Sequence, residues 1–458
     1  MGLGPQVVAS QETPSWPRKA VQRPFAGWWD RTMQQSSKVT SMKVVVVGQG
    51  YVGLPLAMRA IEVGHTVVGF EIDETKLKRL EVGESYVEDV SSVQLQGALS
   101  TSRYFPSRDS RSCADFDVAV ITVPTPLRDG NPDLSFIEQA ADSLSRFLRP
   151  GAVVILESTT YPGTSEELVG PILEEGSGLT AGVDFYLGYS PERVDPGNPV
   201  WGLVNTPKIV SGIDEDSLAR VKAFYDGLID QTIAVSSPKE AELTKLLENT
   251  FRHVNIALVN ELAMFAADLG IDVWEAIDAA STKPFGFMPF SPGPGVGGHC
   301  LPIDPSYLSW RVKRRLGHSF RFVELANDVN DHMPDYIVRR LMLVFNRKKK
   351  AVNGSRVLVL GLAYKKNTGD ARESPSQTII ERLLSLGAEV RAADPHVFEA
   401  SVDKRIKLVN LTVTEVQASD AVVLLTDHDA FDLELVAEHA AYVLDTRNRI
   451  SGPTVEKL

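Results

Sequence analysis

Cys300 is one of only two cysteines in a chain of 458 residues, and it lies in an unusual segment. The run is Pro292-Gly293-Pro294-Gly295-Val296-Gly297-Gly298-His299-Cys300-Leu301-Pro302-Ile303-Asp304-Pro305. Its glycines free the backbone from Cβ restriction, and its prolines frame it rigidly. Such a backbone lets a ligand approach a potential thiolate closely, which reads as a nucleophile loop. A buried structural cysteine in a glycine-rich turn fits the segment alone equally well. Lys245 and Asn249 stand at i and i+4, so on a helix they project from one face, as a charge-stabilising pair or as a solvated stripe. Glu192 follows a strand-like stretch, Tyr186-Leu187-Gly188-Tyr189-Ser190-Pro191, and presents a carboxylate at its end, where an isolated acid is more often a surface group.

Positioning these groups requires a scaffold, and the chain supplies one in order. Lys43-Val44-Val45-Val46-Val47 is an apolar run suited to a parallel strand buried on both faces. Gly48-Gln49-Gly50-Tyr51-Val52-Gly53 follows, a helix is predicted over 54–63, and a second strand over 65–70 leads to Glu71-Ile72-Asp73. A GxGxxG between strand and helix, with an acid about 20 residues on, predicts a dinucleotide site. The glycines tighten the turn so that a pyrophosphate can rest on the helix N-terminus. Glu71 would accept hydrogen bonds from ribose hydroxyls and repel a 2′-phosphate, which favours NAD over NADP. Further strands are predicted over 117–123 and 152–157, with a helix over 135–148. Their turns, 122–126 and 157–164, should face the cofactor from the carboxyl ends of the strands.

From Pro238 to Leu269 the apolar period becomes helical. A helix of that length, at ~1.5 Å per residue, spans more than one domain and is a natural axis for packing or dimerisation. Helices are also predicted over 307–315 and 320–345, ending in the basic run Arg347 to Lys350. A second α/β unit begins at Ser355 and repeats the order strand, glycine, helix, glycine, strand, acid. It lacks GxGxxG and carries instead a cation-bearing loop, Lys365 to Ser374, fit for a phosphorylated ligand. The predicted fold is α/β, with two Rossmann-like parallel-sheet domains joined by a long central helix and a helical middle region. The expected boundaries are a disordered extension over 1–41, an NAD-binding domain over 42–237, a central region over 238–350 and a nucleotide-sugar-binding domain over 351–458. Met42 could equally be the native first residue.

The bulk numbers bound the function. Net charge is −12 and no long basic run occurs, so nucleic acid is not an expected partner. Apolar runs are of strand length, so no membrane span is expected. Two cysteines far apart, without metal-like spacing, fit a reducing cytoplasm and no metal site.

Together the motifs resemble the UDP-glucose/GDP-mannose dehydrogenase family from Met42 to the C-terminus. The matching pieces are GQGYVG (48–53), TVPTP (122–126), ESTTYPGT (157–164), YSPER (189–193), KLLEN (245–249), GPGVGGHCLPIDP (293–305), GLAYKKNTGDARES (361–374) and DTRN (445–448). The resemblance implies oxidation of C6 of a nucleotide sugar from alcohol to carboxylate with two NAD⁺. It implies that Cys300 is the nucleophile, that Lys245 and Asn249 stabilise an oxyanion, and that Glu192, Thr159 and Asp304 position water or assist proton transfer. NAD would be held at Gly48, Gly50, Tyr51, Val52, Gly53, Glu71, Asp73, Lys76, Thr122, Pro124, Thr125, Thr159 and Arg372. The sugar nucleotide would meet Glu192, Arg193, Lys245, Asn249, Arg252, Phe287, Gly297, Lys365 and Arg447. Family members usually carry Asp where Glu71 stands. STKPFGF (281–287) with GGHC and PIDPSYL is most similar to the branch acting on UDP-N-acetylglucosamine. UDP-N-acetylmannosamine and UDP- or dTDP-glucose follow, and GDP-mannose is least favoured. A homodimer or higher homo-oligomer is implied. A two-electron 3-hydroxyacid or 6-phosphogluconate-type dehydrogenase would share the dinucleotide fold and the Lys-x-x-x-Asn pair but lack the cysteine loop. A silent nucleotide-sugar sensor would have no need of Cys300, Lys245 and Glu192 together.

Overall fold

The computed structural model describes residues 41–128, 130–195, 198, 200–298, 301–397 and 403–458. Almost all of the expected extension over 1–41 therefore lies outside the described residues.

Runs too short for helices, valine-rich at the centre, make the first sheet. Its eight strands lie in the order Thr232–Ala234, Lys208–Gly212, Tyr186–Tyr189, Val153–Leu156, Val118–Ile121, Lys43–Val47, Thr66–Phe70 and Tyr104–Ser107. Lys43–Val47 is buried from Val44 onward, as a strand covered on both faces must be. All pairings are parallel except Tyr186–Tyr189 with Lys208–Gly212, which is antiparallel. The chain runs outward from Lys43–Val47 in one direction, then returns to lay Val118–Ile121 on its other side. That reversal opens a crevice at the carboxyl ends of these two strands, where ligands bind in such sheets.

The second sheet repeats the plan. Its six strands are ordered Lys407–Leu408, Glu389–Ala393, Arg356–Leu360, Ala421–Leu424, Val443–Asp445 and Val455–Lys457, all parallel. The two sheets also share a detail. Gly48 (φ +90°) abuts Thr122 O, and Gly361 (φ +87°) abuts Thr426, each so closely that a Cβ would lie 2.9 or 2.5 Å away. In both, a left-handed glycine after the first strand lets the chain turn directly against the reversal strand.

Between the sheets runs the helix Pro238–Asp268, 31 residues long, with Ser237 capping it and Pro238 in its first turn. At ~1.5 Å per residue it spans ~46 Å. Its first half buries Ala241 and Leu246 in the core on one face of the first sheet. Its second half buries Val259, Ala263 and Ala266 with Met333, Ile337 and Leu341 against the second sheet. The helix Arg321–Arg347 carries Pro334 internally. Proline has no N–H to offer Asn330 O four residues back, and that carbonyl faces Gly295 of the glycine loop. The helix expected from Tyr307 begins earlier, at Asp304, because Pro305 suits a first turn.

Candidate active site

The glycine turn at residues 48–53 is built to hold a phosphate. Thr122 Oγ1 donates to Val47 O (2.9 Å) and Gly48 O (2.8 Å), pinning the turn to the next strand. A Cβ on Gly53 would lie 1.9 Å from Gly48 O, so close helix packing requires glycine there. Gly50 is different: a Cβ there would meet no atom within 4 Å, which leaves room above the turn. No side chain caps the following helix, Gly53–Glu62, at Val52, so its N-terminus stays suited to an anion. Glu71 is buried, and its two oxygens accept the N–H groups of Gln49 (Oε2) and Asp73 (Oε1), each at 3.0 Å. Each oxygen keeps a lone pair for a hydroxyl. The residues present therefore fit a dinucleotide. Asp73 instead caps the helix Glu74–Glu81 by accepting from Thr75 N and Lys76 N, and Lys76 lies over the Tyr86 ring. Thr125 hydrogen-bonds Tyr307, Pro124 is exposed, and Thr159 is half-buried on the turn after Val153–Leu156.

Across the crevice the central helix presents Glu242, Lys245 and Asn249 within two turns. Asn249 Nδ2 donates to Asp304 Oδ2 at 2.6 Å, and both groups are buried. Burial pushes the Asp304 carboxyl up to about 6, although Lys245 and the Asn249 bond pull it down. Lys245 also attracts Glu192, so its ammonium lies in the field of both carboxylates. Glu192 Oε1 accepts the N–H groups of Arg193 and Val194, both at 2.7 Å. Burial would raise its pKa, but Lys208, the Val194 N–H and Lys245 together hold it below the ordinary carboxylate value. Glu242 is fully buried and accepts from Gly163 N (2.5 Å), Ser165 N (2.9 Å) and Ser165 Oγ (2.8 Å). Those bonds fasten the turn bearing Thr159 to the helix bearing Lys245, while burial raises Glu242 to about 7.

The glycine loop lies against the second α/β unit. Gly293 N donates to Asn260 Oδ1 of the central helix (2.9 Å), and Asn260 Nδ2 donates to Asn330. A Cβ on Gly293 would stand 2.9 Å from Arg447, one on Gly297 2.7 Å from Glu373 O, and one on Gly298 2.7 Å from Tyr364. The loop thus needs glycine because the Glu373 backbone and the Tyr364 and Arg447 side chains approach it so closely, and it brings Arg447 to the segment leading to the cysteine. His299 and Cys300 themselves lie outside the described residues. Lys365 reaches Asp195 at 2.5 Å, beside the Glu192 turn. Arg372, paired with Asp370, acts electrostatically on Tyr51 of the dinucleotide turn. Both cations of the second unit therefore meet the first.

Three residues on the substrate side stand apart. Arg193 forks onto Glu248 and donates to Pro207 O. Arg252 and Phe287 are exposed, and among the described residues no hydrogen bond or ion pair ties them to the cluster. Lys208, Glu157 and Glu242 escaped the sequence reading. Each had a signal: Lys208 opens a strand with no other charge, Glu157 ends an apolar one, and Glu242 falls one turn before Lys245 on the same face.

Three family domains match in succession. They are the NAD binding domain of the UDP-glucose/GDP-mannose dehydrogenase family over residues 42–229, its central domain over 239–332 and its UDP binding domain over 358–452. The chain belongs to the UDP-glucose/GDP-mannose dehydrogenase family. It is 35% identical over 420 residues to UDP-N-acetyl-D-mannosamine dehydrogenase of Pyrococcus horikoshii, covering 90% of this chain and 97% of that one. It is 37% identical over 394 residues to UDP-N-acetyl-D-glucosamine 6-dehydrogenase of Pseudomonas aeruginosa, covering 85% and 91%. The solved structure of the Pyrococcus horikoshii enzyme superposes with a TM-score of 0.83 at 33% identity, over 91% of this chain and 99% of that one. As a UDP-glucose/GDP-mannose dehydrogenase family member the chain is an oxidoreductase whose first domain binds NAD. Among the described residues no helix is long and apolar enough to cross a membrane, and no cluster of His, Cys, Asp or Glu could hold a metal ion.

Proposed function

We propose that this chain oxidises C6 of a UDP-N-acetylhexosamine from alcohol to carboxylate, with UDP-N-acetylglucosamine as the first substrate. The observation carrying this reading is the cluster of Lys245, Asn249–Asp304 and Glu192, together with Arg447 at the glycine loop that leads to Cys300. Bound NAD supplies the hydride acceptor for each of the two oxidations. An aldehyde at C6 has no hydride to lose until a nucleophile adds to it. Cys300 adds there, giving a thiohemiacetal whose oxidation leaves a thioester that water opens. Lys245 and Asn249 stabilise negative charge on the C6 oxygen. Glu192, held as a carboxylate, accepts a hydrogen bond from the water, and Thr159 and Asp304 assist proton transfer. Arg447 and Lys365 hold the diphosphate and sugar, and Arg372 supports the cofactor next to Tyr51.

UDP-N-acetylmannosamine is the second reading, favoured by the likeness to the mannosamine enzyme across 97% of that protein. A panel of UDP-N-acetylglucosamine, UDP-N-acetylmannosamine, UDP-glucose and GDP-mannose, read by NADH absorbance, decides. Highest kcat/KM with UDP-N-acetylglucosamine is expected, and turnover confined to GDP-mannose would sink the proposal.

Asp304 gives a pH signature. Its folded pKa lies above its unfolded value, so it favours the unfolded chain as pH rises from ~4 to ~6, by about 3 kcal/mol. Asp304→Asn keeps an acceptor for Asn249 and is expected to raise Tm above about pH 6 while lowering kcat. Thermal melts of both proteins across that range check it; equal melting curves would contradict the assignment.

The central helix leaves Leu243, Leu247, Phe251, Leu258, Phe265 and the following Leu269 exposed along its length. A second copy of this chain covers that stripe, making a homodimer or higher homo-oligomer. Sedimentation equilibrium is expected to give at least twice the chain mass, and a monomer at all concentrations would reject it.

A further inference from the structure

Behind Glu192 lies a charge that the reaction outlined above leaves unused. The strand Lys208–Gly212 is buried at every position, yet it begins with lysine. Burying an ammonium costs desolvation that an apolar side chain would avoid, so this cation requires a reason. Its Nζ lies 3.0 Å from Glu157 Oε1 and 3.2 Å from Glu192 Oε2, with Pro191 O at 3.4 Å. Glu157 in turn accepts the Tyr225 hydroxyl, and its Oε2 has no partner among the described residues.

One cation thus serves two carboxylates, and they are treated unequally. Glu192 has three donors, two on Oε1 and Lys208 on Oε2, and it lies in the field of Lys245 from the central helix. Glu157 is more deeply buried, with one oxygen unpaired, and burial raises its pKa despite Lys208. When two acids share one positive charge, the better-donated one keeps its negative charge and the other takes up a proton first. We propose that Lys208 is a positioning residue: anchored by Glu157, it fixes the rotation of the Glu192 carboxylate and keeps that group anionic at the reacting centre. The groups facing Glu192 are then Lys208, Glu157, Tyr225 and Lys245. The catalytic half of this inference rests on the role of Glu192 given above.

The test follows Glu192 directly. Carboxyl infrared difference spectra are recorded across pH, with Glu192→Gln as the blank that isolates its band, in wild type, Lys208→Met and Glu157→Gln/Lys208→Met. The Glu192 midpoint is expected to rise by about one to three pH units in Lys208→Met. It is expected to stay raised in the double variant, because Glu157 has already taken up its proton where Glu192 titrates. At neutral pH, kcat should follow the anionic fraction of Glu192. A packing role alone would leave the Glu192 midpoint at its wild-type value. The same midpoint in all three proteins overturns the proposal. Should Lys208→Met not accumulate folded, the double variant decides alone: a midpoint above wild type supports it and an equal one overturns it. Wild-type kcat in Glu192→Gln would instead remove the catalytic reading of Glu192, while the spectra still judge Lys208.

Discussion

Cys300→Ala is expected to end acid formation, with kcat for the uronic acid falling by at least about 10⁴-fold, the scale seen when a covalent nucleophile is lost. The expectation is specific because the two oxidations need different things. Removing hydride from the C6 alcohol requires charge stabilisation on oxygen and no thiol. The second oxidation requires an adduct, and the chain's other cysteine, Cys113, cannot substitute. Cys113 is buried in the core of the first sheet, and burial raises its thiol to about 11. Rapid-mixing absorbance should therefore show at most one NADH per active site in the variant, followed by no turnover. Uronic acid accumulating at the wild-type rate would show that the thioester route is wrong.

Lys245→Met is expected to cost about 10²–10³-fold in kcat, as loss of one preorganised donor to a developing oxyanion does. The lysine acts on three groups at once. In the proposed reaction it faces the C6 oxygen, and in the structure it helps to hold Glu192 anionic and pulls Asp304 down from the higher value that burial alone would impose. Without it Asp304 titrates above about 6, so the acid limb of the kcat profile should also move to higher pH. KM for the sugar nucleotide should change much less, because the lost interaction grows only as charge develops. A variant with normal kcat and a large rise in KM would assign Lys245 to ground-state binding instead.

The framework of the molecule was legible because its signals are local. Lys43–Val47 reads as a buried strand from four consecutive valines, and the glycine turn after it has only one geometry that serves it. The central helix was legible to within a residue at its end because 31 residues carry one period without an internal proline after the first turn. Strands Lys208–Gly212 and Thr232–Ala234 escaped because they are short and take their stability from neighbours distant in sequence. The site divides in the same way. Lys245 and Asn249 could be paired by helical spacing. The bond from Asn249 to Asp304 spans 55 residues, and that from Lys208 to Glu157 crosses the intervening strand Tyr186–Tyr189, a proximity that only the sheet creates. Asp73 shows the limit of motif reading: the dinucleotide pattern offered two acids, and the local helix took this one as its cap.

The central claim is a four-electron oxidation on one site, and NADH stoichiometry tests it most directly. A limiting amount of UDP-N-acetylglucosamine, or whichever sugar nucleotide the panel selects, is exhausted with excess NAD⁺ and the absorbance plateau is read against the sugar added. Two NADH per sugar, with the uronic acid as the sole product, is the expected result; one NADH per sugar with an aldehyde product would contradict it.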